Sequence, residues 1–210
     1  MEHIVLLGDS IFDNKSYVGY GGKDVVTHLR EILPAGWQAT LRAIDGSVIE
    51  GVSRQLNGPE NPTHLIISVG GNDAIMNADI LEMRANSSAQ VFGELAKRKS
   101  VFEHQYSEML RQVLAKNVST AVCTIYYPNF PDPSMQRLAV TALASFNDAI
   151  IRQAVLNGLP VLDLRLICNE ASDYANPIEP SDTGGRKIAG KILEMVTKHD
   201  FSKKQTTIYI

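Results

Sequence analysis

The sequence is poor in the features that mark several large classes of protein. It has only two cysteines, Cys123 and Cys168, both inside apolar, strand-like runs. They read as small core residues rather than as a disulfide or a metal pair. No uninterrupted apolar stretch approaches the ~20 residues that a membrane-spanning helix needs. The only basic cluster is Lys203-Lys204 and the formal net charge is −3, which argues against a nucleic-acid partner. Met1-Glu2-His3 leads straight into apolar sequence, without a basic leader or a small-residue cleavage site, so the expected compartment is the cytoplasm. There is no internal repeat, and the linkers are too short to mark a domain boundary. What is present is an ordinary globular composition of 210 residues, 44% hydrophobic and 20% charged. That suits a single domain over residues 1–210 with a full core.

Ile4 to Leu7 are apolar and stop at Gly8-Asp9-Ser10, which reads as a strand buried on both faces. Val25, Val26, Leu29, Ile32 and Leu33 mark a helix face ending at Pro34 and Gly36. Trp37 to Ile44 reads as a second strand, closed by Asp45-Gly46-Ser47, with a short amphipathic helix over Val48, Val52 and Leu56. Thr63 to Val69 is a third strand, stopping at Gly70-Gly71-Asn72-Asp73, followed by an irregular or helical crossing over 75–83. Helical spacing covers 87–117, and Thr120 to Tyr126 is a fourth strand. A long helix is expected over about 134–157, a fifth strand over Pro160 to Leu164 and a last helix over Asp182 to Lys198. The tail, Thr206 to Ile210, is a candidate sixth edge strand or homodimer contact. Alternating strands and helices predict a three-layer α/β/α sandwich around a five-stranded parallel sheet.

In a doubly wound sheet the ends of the first three strands face one crevice. They carry Gly8-Asp9-Ser10, Asp45-Gly46 and Gly70-Gly71-Asn72-Asp73. Together these supply a hydroxyl nucleophile, an unobstructed backbone N–H and an amide donor, which are the parts of an oxyanion hole.

These blocks resemble the first three of the SGNH (GDSL) hydrolase family of esterases and lipases. Ile178-Glu179-Pro180-Ser181-Asp182-Thr183-Gly184-Gly185-Arg186 resembles its last block. The resemblance covers nearly the whole chain and implies the flavodoxin-like SGNH hydrolase fold, with a small-molecule ester as substrate and no cofactor or metal. It implies Ser10 as nucleophile, with its own N–H, the N–H of Gly46 and the amide of Asn72 holding the oxyanion. Asp9 and Asp73 are better read as carboxylates that fix loops through backbone N–H groups.

One departure changes the chemistry. The family's last block has an Asp and, three residues on, a His before Pro-Ser; here those places hold Asn176 and Glu179. An Asp in that slot exists to accept an imidazole N–H, so the two changes belong together. No other histidine is well placed. His3 and His64 sit at the amino ends of their strands, roughly 17 Å from the crevice. His28 is expected two or more turns into a helix, His199 follows the last helix, and His104 reads as a helix-surface residue.

Glu179 is therefore the expected base. A free glutamate, at pKa ~4.3, is a poor base toward a hydroxyl at neutral pH. Desolvation between Ile178 and Pro180 would raise it, while a contact from Arg54, Arg165 or Arg186 would lower it. The expectation is a weak to modest esterase for short acyl chains, because no long apolar lid segment is present, with an acetylated carbohydrate as one candidate. Two alternatives stand beside it. One is a catalytically impaired member that binds an acylated or sugar-like ligand. The other is a metal-assisted hydrolase using Asp9, Asp13, Asp73 and Glu179 as oxygen ligands.

Overall fold

The computed structural model describes all 210 residues. In chain order its elements are β1 (His3–Gly8), α1 (Val25–Ile32), β2 (Gln38–Leu41), α2 (Val52–Gln55), β3 (His64–Ser68), α3 (Gly71–Met76) and α4 (Ser88–Leu114). There follow β4 (Ser119–Cys123), α5 (Pro133–Asn157), β5 (Val161–Leu162), α6 (Leu164–Ile167), β6 (Tyr174–Asn176), β7 (Glu179–Pro180), α7 (Asp182–Lys198) and β8 (Ile208–Tyr209).

The main sheet is parallel throughout, in the order β2-β1-β3-β4-β5-β8. It has six strands rather than the five expected, because the tail pairs with β5 as an edge strand. Alternation along β1 explains the three layers. Ile4 and Leu6 face a core with α1 and α7, whereas Val5 and Leu7 face one with α4 and α5. All four are fully buried, as a strand covered on both sides requires. The strand order reverses at β1, which has β2 on one side and β3 on the other. In open α/β sheets that switch point is where a crevice forms beyond the carboxyl ends, and Ser10 stands there.

Several strands are shorter than the apolar runs suggested. Beyond β4, Ile125 leaves the ladder, because its N–H and C=O both bond the buried side chain of Asn147 on α5 (2.8 Å each). β5 ends at Leu162 because Asp163 caps α6 through the N–H of Arg165. His28 lies in the first turn of α1, not deep within a helix, since Asp24 is the N-cap and accepts from Thr27. Both cysteines are buried and free. No helix is long and apolar enough to cross a membrane.

Candidate active site

The loop carrying Ser10 is shaped by the end of β1. Gly8 has φ of +128°, and a Cβ there would stand 1.7 Å from the carbonyl oxygen of Ser68, so only glycine fits. Gln55, buried on α2, locks the position from the other side. Its Nε2 donates to Gly8 O (2.8 Å) and its Oε1 accepts from Gly8 N (2.7 Å). Asp9 accepts the N–H of Ile11 at its side chain (3.2 Å) and those of Phe12 and Asp13 at its carbonyl (3.2 and 3.1 Å). These bonds hold the turn around Ser10, whose own N–H makes no intramolecular hydrogen bond.

The Gly46 turn is pinned between two neighbours. Ile44 N donates to Gly8 O (3.1 Å), and Asn72 Nδ2 donates to Ser47 O (2.9 Å). Asn72 uses one amide hydrogen there and has a second to offer. Gly46 has φ of +76° and its N–H is likewise unpaired within the chain. Asp73 fixes the same region, accepting the N–H of Ile49 at 3.1 Å. Asp9 and Asp73 thus both hold backbone.

Glu179 begins the short strand β7, which pairs antiparallel with β6 so that Asn176 stands opposite it. Asn176 does not orient the carboxylate. Its Oδ1 accepts the N–H of Ile178 (2.9 Å), tying the turn between the two strands. Three further bonds hold this hairpin. Asn14 Nδ2 donates to Pro180 O (3.1 Å), Asn129 N donates to Pro177 O (2.8 Å), and the Tyr126 hydroxyl donates to Ile178 O. Asn14 is completely buried, and its Oδ1 also accepts the N–H of Val25.

The carboxyl that these bonds position is 6% exposed, and its Oε2 is buried without a hydrogen-bond partner. Burial pushes the Glu179 pKa up to about 7; the Ser10 hydroxyl, donating toward the carboxylate, opposes the rise and the nearby charge of Asp45 adds to it. Burial likewise raises Asp9 to about 8, and raises Asp73. No cationic side chain acts on any of the three. Arg165 pairs instead with Asp163 at 2.6 Å, and Arg54 and Arg186 are exposed.

None of the five histidines lines the cavity next to Ser10. His3 and His64 share hydrogen bonds with Thr40 and Thr63 (2.8 and 2.9 Å), and His104 is exposed on α4. His28 is 3.1 Å from Asp182, and His199 packs edge-on against Phe201. No three His, Cys, Asp or Glu side chains gather closely enough to hold a metal ion, so Asp9, Asp13, Asp73 and Glu179 do not form a common ligand set.

Ser10, Asn72 and Glu179 line one cavity of about 170 Å³; Gly46 is not among its walls. Sixteen of the 25 residues around this cavity are hydrophobic, so one polar end opens onto an apolar chamber. Nothing in the sequence marks Gln55, Asn14, Asn147 or Tyr126 for a positioning role. Only the tertiary structure reveals the backbone groups they satisfy.

Comparisons with known proteins bear on the fold and the family. The GDSL-like Lipase/Acylhydrolase family matches residues 6–187. No curated protein matches the sequence. Among solved structures, a member of the lipolytic protein G-D-S-L family from Veillonella parvula DSM 2008 is 20% identical, with a TM-score of 0.68 over 95% of this chain and 100% of its own. An acetyl xylan esterase, AlAXEase, is 18% identical, with a TM-score of 0.68 over 92% of this chain and 99% of its own. A lipase/acylhydrolase from Enterococcus faecalis is 19% identical, with a TM-score of 0.65 over 93% of this chain and 95% of its own. At these identities the structures speak for the fold, while the family match covers nearly all of the sequence. The chain therefore belongs to the GDSL-like lipase/acylhydrolase family.

Proposed function

We propose that the protein is a serine esterase in which Ser10 is the nucleophile and Glu179 takes the place of the usual histidine base. Ser10 Oγ attacks the ester carbonyl carbon while its proton passes to Glu179, directly or through one water. The carbonyl oxygen becomes an oxyanion held by the N–H groups of Ser10 and Gly46 and the free amide hydrogen of Asn72. Collapse of the tetrahedral intermediate breaks the bond to the alcohol, which leaves with the proton from Glu179. Water then attacks the acyl-Ser10 ester, Glu179 again accepting a proton, and collapse releases the acid as that proton returns from Glu179 to Ser10 Oγ.

The observation that carries this reading is the state of Glu179: buried, beside the Ser10 hydroxyl, with one oxygen unpartnered and a pKa raised to about 7. A base is most effective when its pKa lies near the working pH. Without an imidazole flanked by its own carboxylate, the activity expected is modest. The second reading, a ligand-binding protein with an idle site, draws on Asn176, whose side chain serves the turn and not the base.

Hydrolysis of p-nitrophenyl esters by wild type, Ser10→Ala and Glu179→Gln distinguishes the two. The esterase reading expects Ser10→Ala to abolish turnover and Glu179→Gln to lower kcat by ~10²–10⁴-fold. A Ser10→Ala protein as active as wild type would remove the nucleophile. Activity that survives intact in Glu179→Gln would remove the base alone. Ligand binding with no Ser10-dependent turnover would favour the second reading.

A further inference from the structure

We propose that the cavity beside Ser10 is an acyl pocket for a chain of about six to eight carbons, making medium-chain esters the substrate class. This rests on the serine esterase reading and goes beyond it, since the sequence pointed to short acyl groups.

The cavity runs from Ser10 and Glu179 between two helical walls. One wall is a single face of α5, on which Met135, Ala139, Ala142, Leu143 and Phe146 recur at helical spacing. The other comes from α3 and the 3₁₀ turn after it, through Ala74, Ile75, Ala78, Ile80 and Leu81. Alanines on both walls leave the space open, and Phe146 and Ile80, both buried, close parts of it.

Size and polarity decide what fits. An apolar protein cavity of ~150 Å³ accommodates benzene, six carbons, so about 170 Å³ suits a chain slightly longer. Two polar side chains along the walls are already committed. The Thr124 hydroxyl donates to Asp163 (2.9 Å), and Asn77 Nδ2 donates to Asp73 O (2.8 Å). A sugar ring placed here would bury hydroxyls with few partners, which is unfavourable. An alkyl chain would not. The polar groups that face the cavity cluster at the Ser10 end, where the ester carbonyl must lie.

The test is a chain-length series of p-nitrophenyl esters, from acetate to dodecanoate, on wild type, Ala142→Phe and the milder Ala139→Leu. The expected kcat/KM rises about three- to fourfold per methylene, peaks at six to eight carbons and then levels or falls. Filling the pocket should lower the octanoate-to-acetate ratio at least tenfold in Ala142→Phe and less in Ala139→Leu. A Ser10-dependent activity that is greatest on acetate would overturn the pocket and leave the esterase. A rising profile unchanged by both substitutions would do the same. Calorimetric binding of octanamide to Ser10→Ala separates the two readings if no ester is turned over. Binding that disappears when Ala142→Phe is added supports the pocket; no binding to either protein, or binding equal in both, rejects it.

Discussion

Glu179→Gln should make the protein more stable at neutral pH while it removes activity. The folded state raises the Glu179 carboxyl from its ordinary value of 4.5 to about 7, chiefly by burial. Between those two pH values the unfolded chain has released this proton and the folded chain still holds it. Folding stability contributed by this group is therefore greatest below pH 4.5 and falls as pH rises to about 7. Each pH unit in the window is worth ~1.4 kcal/mol, so the accumulated loss is about 3–4 kcal/mol. Glutamine has a similar shape and no charge to lose. Its advantage over wild type should grow across that window and level off once pH passes about 7, while Asp9, raised by burial in both proteins, titrates only above it. Urea unfolding followed by far-UV circular dichroism, at several pH values on both proteins, measures the difference. An advantage that is the same at every pH, or that grows as pH falls, would refute a buried carboxylate strained by ionisation.

Other consequences follow from the groups that build the site. Gln55→Leu leaves the Gly8 N–H unpaired, while Gly8 O keeps the N–H of Ile44; unfolding should show a loss of about 1–3 kcal/mol. Tyr126→Phe removes the donor to Ile178 O, so Glu179 is held less firmly and kcat should fall about tenfold or more, with a shifted pH midpoint. An unchanged pH profile in that variant would reduce Tyr126 to a packing residue. Asp13, Asp45 and Glu179 give the site mouth negative potential, and Asp45 adds to the rise at Glu179. A sulfonated phenyl ester should therefore be cleaved several-fold more slowly than its neutral parent, and high salt should narrow that gap by screening.

The fold was legible because its signals are local. Apolar runs ending in glycine marked the strands, and the helix over Asp182–Lys198 came out at its observed bounds. Ser10, Asn72 and Glu179 were legible as strand-end and last-block residues, and they meet at one cavity. What escaped was polar residues whose partners are remote. Asn147 lies inside an apolar helix and Asn14 inside a polar loop, yet each is fully buried to satisfy backbone groups far along the chain. The helix over about 134–157 was legible, but not which of its faces lines the cavity, because periodicity marks an apolar stripe without telling packing from empty space. The tail was legible as a candidate edge strand, while its partner β5 is a non-local feature that the structure supplies.

The central claim is that a buried carboxylate activates Ser10. A serine-directed fluorophosphonate, with the adduct mapped by mass spectrometry and its rate followed against pH, addresses it most directly. The account predicts a single adduct on Ser10, forming faster as pH rises through about 7 and at least ~100-fold more slowly in Glu179→Gln. No adduct, an adduct on another residue, or a rate indifferent to Glu179 would contradict it.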